Sequence, residues 1–363
     1  MAYFSRRLFR AELLGPVLLA LVLLGAPGVS TGQPGDRPVV RLIATGGTIS
    51  NRTGGRLTAN QLIESIPALD QYVVAEAEQF DNVSSSMLTL QQWVDLSRRV
   101  NQLLRERASL DGIVVTTGTD TLEETAYFLH LTVRSDRPVV VVGSMRPPQS
   151  LAYDGATNLL QGFRVAADAA SRGRGVLVVL NDEINSAREV SKTNAQRLQT
   201  FSARDHGFLG VVDPDRVVFY RRSERRHTSS SEFDVASIGQ LPRVDVVMAY
   251  QDAPGDLITG AVSAGAAGLI VAGAGTGAVG PRQRNAIQSA LEAGIPVVMT
   301  SRTGGGRVPP EQQRAATSTR NRPAPSVRIG GEDLSPVKAR ILLMLALTVT
   351  RDTQEIQRMF SEY

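Results

Sequence analysis

The sequence predicts an α/β protein: a larger N-terminal domain on a mostly parallel sheet with helices on both faces, then a smaller C-terminal α/β domain. Three observations carry this. From Val39 onward, short apolar runs of strand length alternate with amphipathic stretches of helix length. Two helix starts carry a threonine followed three residues later by Gln or Glu, the pattern of a capping box. A polar stretch, Arg221 to Gly239, interrupts the alternation before it resumes.

Val39 to Ala44 reads as a strand ending at the turn Gly46-Gly47, with a helix starting near Thr58. Thr89 with Gln92 opens a helix running to about Arg107. Ile113 to Val115 is a buried strand, and Thr121 with Glu124 opens a second capped helix to about Val133. Val139–Val142 and Val176–Leu180 are further strands. Beyond the polar stretch come a strand Val244 to Ala249, a helix Leu257 to Ala264, a strand Gly268 to Ala272 and a helix Arg282 to Ala293. A strand Ile295 to Thr300 and a helix from about Ser335 complete the series. Thr303 to Pro325, rich in Gly, Pro and Arg, reads as a surface loop. The expected division is an N-terminal segment at 1–30, a larger α/β domain at 38–222, a linker at 223–243 and a second α/β domain at 244–363.

Composition excludes several functions. At 363 residues, 42% hydrophobic and 20% charged, the chain is globular. Its net charge is +4, half of it from Arg6, Arg7 and Arg10 against Glu12, which is too little to imply a nucleic-acid partner. With no cysteine there is no disulfide, thiolate site or cysteine nucleophile. The three histidines (His130, His206, His227) form no metal-binding pattern, so neither a histidine-based metal site nor a Ser-His-Asp triad is expected. Lysine is almost absent: Lys192 and Lys338 are the two lysines among 39 basic residues. Arginine cannot give up its proton at useful pH, whereas a buried lysine can, so both positions are candidates for chemistry.

Residues 1 to about 30 have the three parts of a signal peptide: Arg6, Arg7 and Arg10, an apolar run Leu13 to Leu24, and small residues Gly25 to Thr31. Ser5-Arg6-Arg7-Leu8-Phe9 resembles a twin-arginine signal. The expectation is a periplasmic or secreted protein with no membrane association once the signal is removed.

Three polar clusters follow strand ends, where open α/β sheets bind ligands. They are Thr45-Gly46-Gly47-Thr48, Thr116-Thr117-Gly118-Thr119-Asp120 and Asn181-Asp182-Glu183. A threonine is a nucleophile only if a base takes its proton, and Asp120 and Lys192 are the available partners.

At this point the chain resembles a known family, the bacterial type II L-asparaginases, from about Val39 to Tyr363. The matching segments are Ala44-Thr45-Gly46-Gly47-Thr48-Ile49, Thr117-Gly118-Thr119-Asp120-Thr121-Leu122-Glu123-Glu124, Val142-Gly143-Ser144-Met145-Arg146-Pro147, Ser191-Lys192-Thr193-Asn194 and Pro336-Val337-Lys338-Ala339-Arg340. The resemblance implies hydrolysis of a small amino-acid amide with no cofactor. It implies Thr48 as nucleophile, forming an acyl-enzyme, and Thr119, Asp120 and Lys192 as the proton-handling group. It also implies substrate contacts from Gly47, Ser85, Ser86, Gly118, Thr119, Asp120 and Asp252, and a homotetramer whose sites lie at a dimer interface, Asp252 coming from the neighbouring subunit.

The sequence departs from the family pattern at four places. The segment Ile49 to Leu57 is shorter than the family's lid and lacks its tyrosine, leaving Thr53 or a residue of another segment for that role. Thr117 stands where the family often has histidine, Ser86 where it has glutamine and Asp252 where it has asparagine. These differences leave a second expectation open, a relative that binds L-aspartate or L-asparagine with little or no turnover. A different class is represented by Gly275-Thr276-Gly277-Ala278-Val279-Gly280, which fits a dinucleotide-binding fingerprint, with Arg302 placed to meet a phosphate.

Overall fold

The structure, a computed structural model, describes residues 37–311 and 327–363. The segment 1–30, expected to direct export, and residues 312–325 of the loop expected at 303–325 lie outside these. The chain runs β1 (Val39–Gly46), the hairpin β2 (Asn51–Arg52) and β3 (Gly55–Arg56), α1 (Ala59–Glu64), β4 (Val74–Val83), α2 (Leu90–Glu106), β5 (Leu110–Thr116), α3 (Leu122–Thr132), β6 (Val139–Val142), α4 (Gly155–Ala167) and β7 (Val176–Leu180). Then come the short strands β8 (Glu183–Ser186), β9 (Ser191–Lys192), β10 (Phe201–Ser202), β11 (Gly210–Val212) and β12 (Val217–Phe219). The remainder is β13 (Val244–Met248), α5 (Asp256–Ser263), β14 (Gly268–Gly273), α6 (Pro281–Glu292), β15 (Val297–Ser301), β16 (Ile329–Gly330), α7 (Pro336–Val349) and α8 (Thr353–Glu362).

The large sheet has the order β12-β11-β8-β7-β6-β5-β1-β4. Strands β4, β1, β5, β6 and β7 are parallel, and β8, β11 and β12 add an antiparallel edge. Its central strands β1, β5, β6 and β7 are buried on both faces, so alternate residues enter opposite cores. Leu42, Val114 and Val140 pack with Leu159 and Phe163 of α4. Ile43, Val115 and Val141 pack with Leu96, Val100 and Leu129 of α2 and α3. The smaller sheet, β13-β14-β15-β16, is wholly parallel. The stretch read as a linker is ordered: Phe233, Val235, Ile238 and Leu241 are buried with Trp93, Phe128 and helix α7.

Strand order locates the site. From β1 the chain goes to β4 on one side, then returns to β5 on the other, so the ends of β1 and β5 diverge at a topological switch point. Ala44 pairs with Thr116 there, and Thr45 Oγ1 donates to the Thr116 carbonyl at 2.8 Å. The two threonine-bearing turns therefore leave the sheet side by side.

Two local expectations need correction. Thr89 and Gln92 form the predicted capping box, but Thr121 and Glu124 do not: the Thr121 side chain caps nothing, and its N–H donates to Ser85 Oγ at 3.4 Å. Glu124 turns inward instead, where burial raises its pKa against a partial offset from Arg340. The third polar cluster is a hairpin turn, with Asn181 and Asp182 both left-handed (φ 54° and 66°) between antiparallel β7 and β8.

A buried histidine sets an acid limit on the fold. His130 is fully buried, its Nδ1 accepts the Val176 N–H at 3.1 Å, and its ring lies 5.1 Å from that of His227. Burial, with His227, Arg188 and Lys338 nearby, holds its pKa well below the ordinary value. The unfolded chain protonates this side chain near pH ~6.5, so the stability it contributes is present above that pH and lost as pH falls below it. His130→Gln is expected to lose less melting temperature than the parent between about pH 7.5 and about pH 5, read by thermal unfolding.

Candidate active site

Glycines allow three loops to meet at the switch point. Gly46 and Gly47 have φ of 108° and 90°, which residues with a Cβ rarely adopt. A side chain at Gly47 would overlap the backbone of Thr117 and Gly118, and one at Gly118 would press on Ser85. Gly47 N–H donates to the Val83 carbonyl at 2.8 Å, tying the turn to the end of β4. Thr48, Gly118 and Ser85 thus belong to one junction.

Thr48 is half-buried and begins a 3-10 turn, Thr48–Ser50. The backbone of this turn is well anchored. The Gly47 carbonyl accepts from Ser50 Oγ at 3.1 Å and Arg56 Nη1 at 3.3 Å, and the Ile49 carbonyl accepts from Tyr153 Oη at 2.9 Å. Among the described residues the Thr48 hydroxyl itself has no hydrogen-bond partner. The segment after it is the tight hairpin β2–β3, and Arg56 also donates to Ser84 Oγ at 3.2 Å.

Lys192, Thr119 and Asp120 lie in one cluster. Lys192 Nζ donates to Thr119 Oγ1 at 3.0 Å and to Asp120 Oδ1 at 2.7 Å. Its side chain is 14% exposed, whereas that of Asp120 is 77% exposed and open to a ligand. Glu123, which the sequence did not single out, accepts the Lys192 N–H at 3.1 Å and so fixes strand β9 against α3. Gly143 backs the Thr119 methyl group.

The other candidates divide. Ser85 is buried and Ser86 exposed, both at the start of the short turn Ser85–Met87. Asp252 sits on a different element, in a left-handed turn after β13 (φ 54°), where it pairs with Arg282 at 2.6 Å. Within one chain it does not join the Thr48 junction.

The second rare lysine has a structural task. Lys338 is 1% exposed, and its Nζ donates to the carbonyls of Arg188 (2.9 Å) and Val190, two residues before Lys192. Burial pushes its pKa down to about 8. The glycine-rich 275–280 segment folds back on β14, with Ala274 bridging Ala278 and the Gly277 backbone against Gly273. Arg302 donates to the Ala249 carbonyl at 2.8 Å, so it is already engaged.

The family model described as Asparaginase, N-terminal matches residues 39–225, and that described as Glutaminase/Asparaginase C-terminal domain matches 243–360. The chain belongs to the asparaginase family. It is 41% identical over 345 residues to L-asparaginase 2 of Bacillus subtilis, covering 92% of this chain and 89% of that one. It is 36% identical over 354 residues to L-asparaginase 2 of Escherichia coli, with 95% and 98% covered. The glutaminase-asparaginase of Pseudomonas aeruginosa is 36% identical over 364 residues, with 96% and 98% covered. A solved structure described as a probable cytoplasmic L-asparaginase from Campylobacter jejuni superposes with a TM-score of 0.83 at 36% identity, covering 90% of this chain and all of that one. Membership gives the threonine junction its chemical context, since the N-terminal family model spans the elements that build it.

Proposed function

We propose that this protein hydrolyses L-asparagine to L-aspartate and ammonia, with some action on L-glutamine, through a threonine acyl-enzyme. The observation that carries the reading is the cluster in which Lys192, on β9, meets Thr119 and Asp120 of the turn that abuts the one bearing Thr48. Thr48 Oγ1 attacks the side-chain amide carbon, and its proton passes by way of Thr119 to the Lys192 amine. Backbone N–H groups of the Gly118–Thr119 turn stabilise the oxyanion. The proton then goes to the leaving nitrogen as the C–N bond breaks and ammonia departs. Water attacks the ester by the same route in reverse and frees Thr48. Ser85 and Asp120 hold the α-amino and α-carboxylate ends of the substrate, with Gly47, Gly118 and Ser86 completing the pocket wall.

Assembly belongs to the same proposal. Val246, Met248 and Tyr250 are exposed along edge strand β13 and lead to Asp252. An apolar sheet edge of this kind is normally covered. A second copy would cover it and bring Asp252 to the neighbouring site, in a homotetramer made of dimers. Export to the periplasm or medium rests on the N-terminal segment. A relative from Haemophilus influenzae, 36% identical over 357 residues, is named a probable periplasmic L-asparaginase, whereas the solved Campylobacter jejuni structure is described as cytoplasmic.

The unpartnered Thr48 hydroxyl favours one other reading, binding of L-aspartate or L-asparagine without turnover. Ammonia release from L-asparagine, L-glutamine and D-asparagine, measured beside calorimetric binding of L-aspartate, decides between them. Release from L-asparagine is expected; binding without release from any of the three would overturn the enzyme reading.

A further inference from the structure

A single 3-10 turn is too short to hold its own shape, so the turn carrying Thr48 depends on bonds to its surroundings. On one flank the Gly47 carbonyl is held by Ser50 and Arg56. On the other, the Ile49 carbonyl is held by Tyr153 Oη, from a loop 104 residues away in sequence.

The loop is built to place that phenol. Ala152, just before it, has a φ of 58°, a strained conformation for a residue with a Cβ. Asp154, just after it, is clamped by the N–H groups of Met145 and Arg146 at 2.9 Å each and by Asn158 at 3.0 Å. Gly155 leaves room, because a Cβ there would overlap the Tyr153 phenol. Burial, with Asp154 adding to it, raises the phenol's pKa, so the hydroxyl keeps the proton it donates. The segment Ile49 to Leu57 supplies no aromatic side chain of its own.

We propose that Tyr153 is the positioning residue for Thr48, fixing the nucleophile's turn through the Ile49 carbonyl. The inference rests on the reaction proposed above. It makes the site one whose nucleophile is held by the loop between β6 and α4. Displacing a reacting group by about 1 Å costs on the order of 100-fold in rate, and this tether acts one residue from the reacting hydroxyl.

The test compares the full-length protein with Tyr153→Phe, which removes the hydroxyl alone. Expected is a fall of about 10- to 100-fold in kcat for ammonia release from L-asparagine, with KM almost unchanged and the unfolding temperature lowered by no more than a few degrees, since the Ile49 carbonyl loses its partner. Gly155→Ala, which displaces the phenol, is expected to give the same split. An unchanged kcat in Tyr153→Phe, or a loss that appears only as raised KM or lowered stability, overturns the proposal. Amide hydrogen exchange at residues 48–51 separates this failure from failure of the reaction. Faster exchange in Tyr153→Phe without wild-type turnover upholds the tether and overturns the chemistry, whereas unchanged exchange overturns the tether.

Discussion

Thr48→Ala is expected to abolish ammonia release, lowering kcat by about four orders of magnitude or more, as removal of a covalent nucleophile does. The protein should stay folded. The Thr48 hydroxyl has no partner among the described residues, so its removal orphans nothing, and a half-buried methyl-for-hydroxyethyl change costs no more than about 1 kcal/mol. L-Aspartate should still bind, because Ser85 and Asp120 are untouched. Steady-state kinetics, thermal unfolding and calorimetry on one preparation check all three points. Retention of turnover within tenfold of the parent would remove Thr48 from the mechanism. Loss of turnover together with unfolding would say that the turn, rather than the hydroxyl, had been tested.

The second large effect concerns stability. Arg188, its side chain 2% exposed, makes two 2.7 Å bonds to Asp333 and another to the Tyr363 carbonyl. This joins the segment after β8 to the start of α7 and to the end of the chain. Asp333→Asn leaves a buried guanidinium without its counter-charge, which typically costs 3–5 kcal/mol, or roughly 5 °C in melting temperature for a chain of this length. The sign of the pH dependence is fixed as well. Burial alone would raise the Asp333 pKa, but the Arg188 bond and charge, its own backbone N–H and His206 outweigh it and hold the carboxyl well below the ordinary range. A depressed carboxylate stabilises the fold above its unfolded pKa, near ~3.9, and that contribution is lost as pH falls below it. The variant should therefore have a lower melting temperature at neutral pH and a flatter acid limb below about pH 4. A melting temperature equal to the parent's at neutral pH would show that the pair contributes nothing net.

Much of the fold was legible because its strands are apolar on both faces. Val139–Val142 and Val176–Leu180 are such runs, and the structure has them with those ends. Strand β4 was not legible: Val74–Val83 carries Glu76 and Glu78, which read as surface charge. Their carboxylates are instead met by Arg41, Arg99 and Arg107, and pairing over that distance leaves no local signal. Helix α4 hid for a different reason. Gly155 and Gly162 lower its propensity, yet both are places where a side chain would collide, with Tyr153 and with Val142. At the site, Thr48, Thr119, Asp120 and Lys192 stood out as short polar motifs and a rare residue type. Glu123 acts through its neighbour's backbone, and Tyr153 acts from another loop, so neither had a pattern to betray it.

The scarcity of lysine has a practical consequence. Reagents that acylate primary amines ordinarily scatter over many surface lysines. Here the choices are the α-amino terminus, Lys338 and Lys192, and Lys338 is sealed in at 1% exposure with both its acceptors engaged. Amine conjugation, the usual route to attaching polymers or dyes, is thereby directed to the chain terminus and to the one lysine that touches Thr119. Under the proposed function such coupling is an assay of site access, with protection by L-aspartate as its readout, and attachment chemistry meant to spare Lys192 would have to use another functional group.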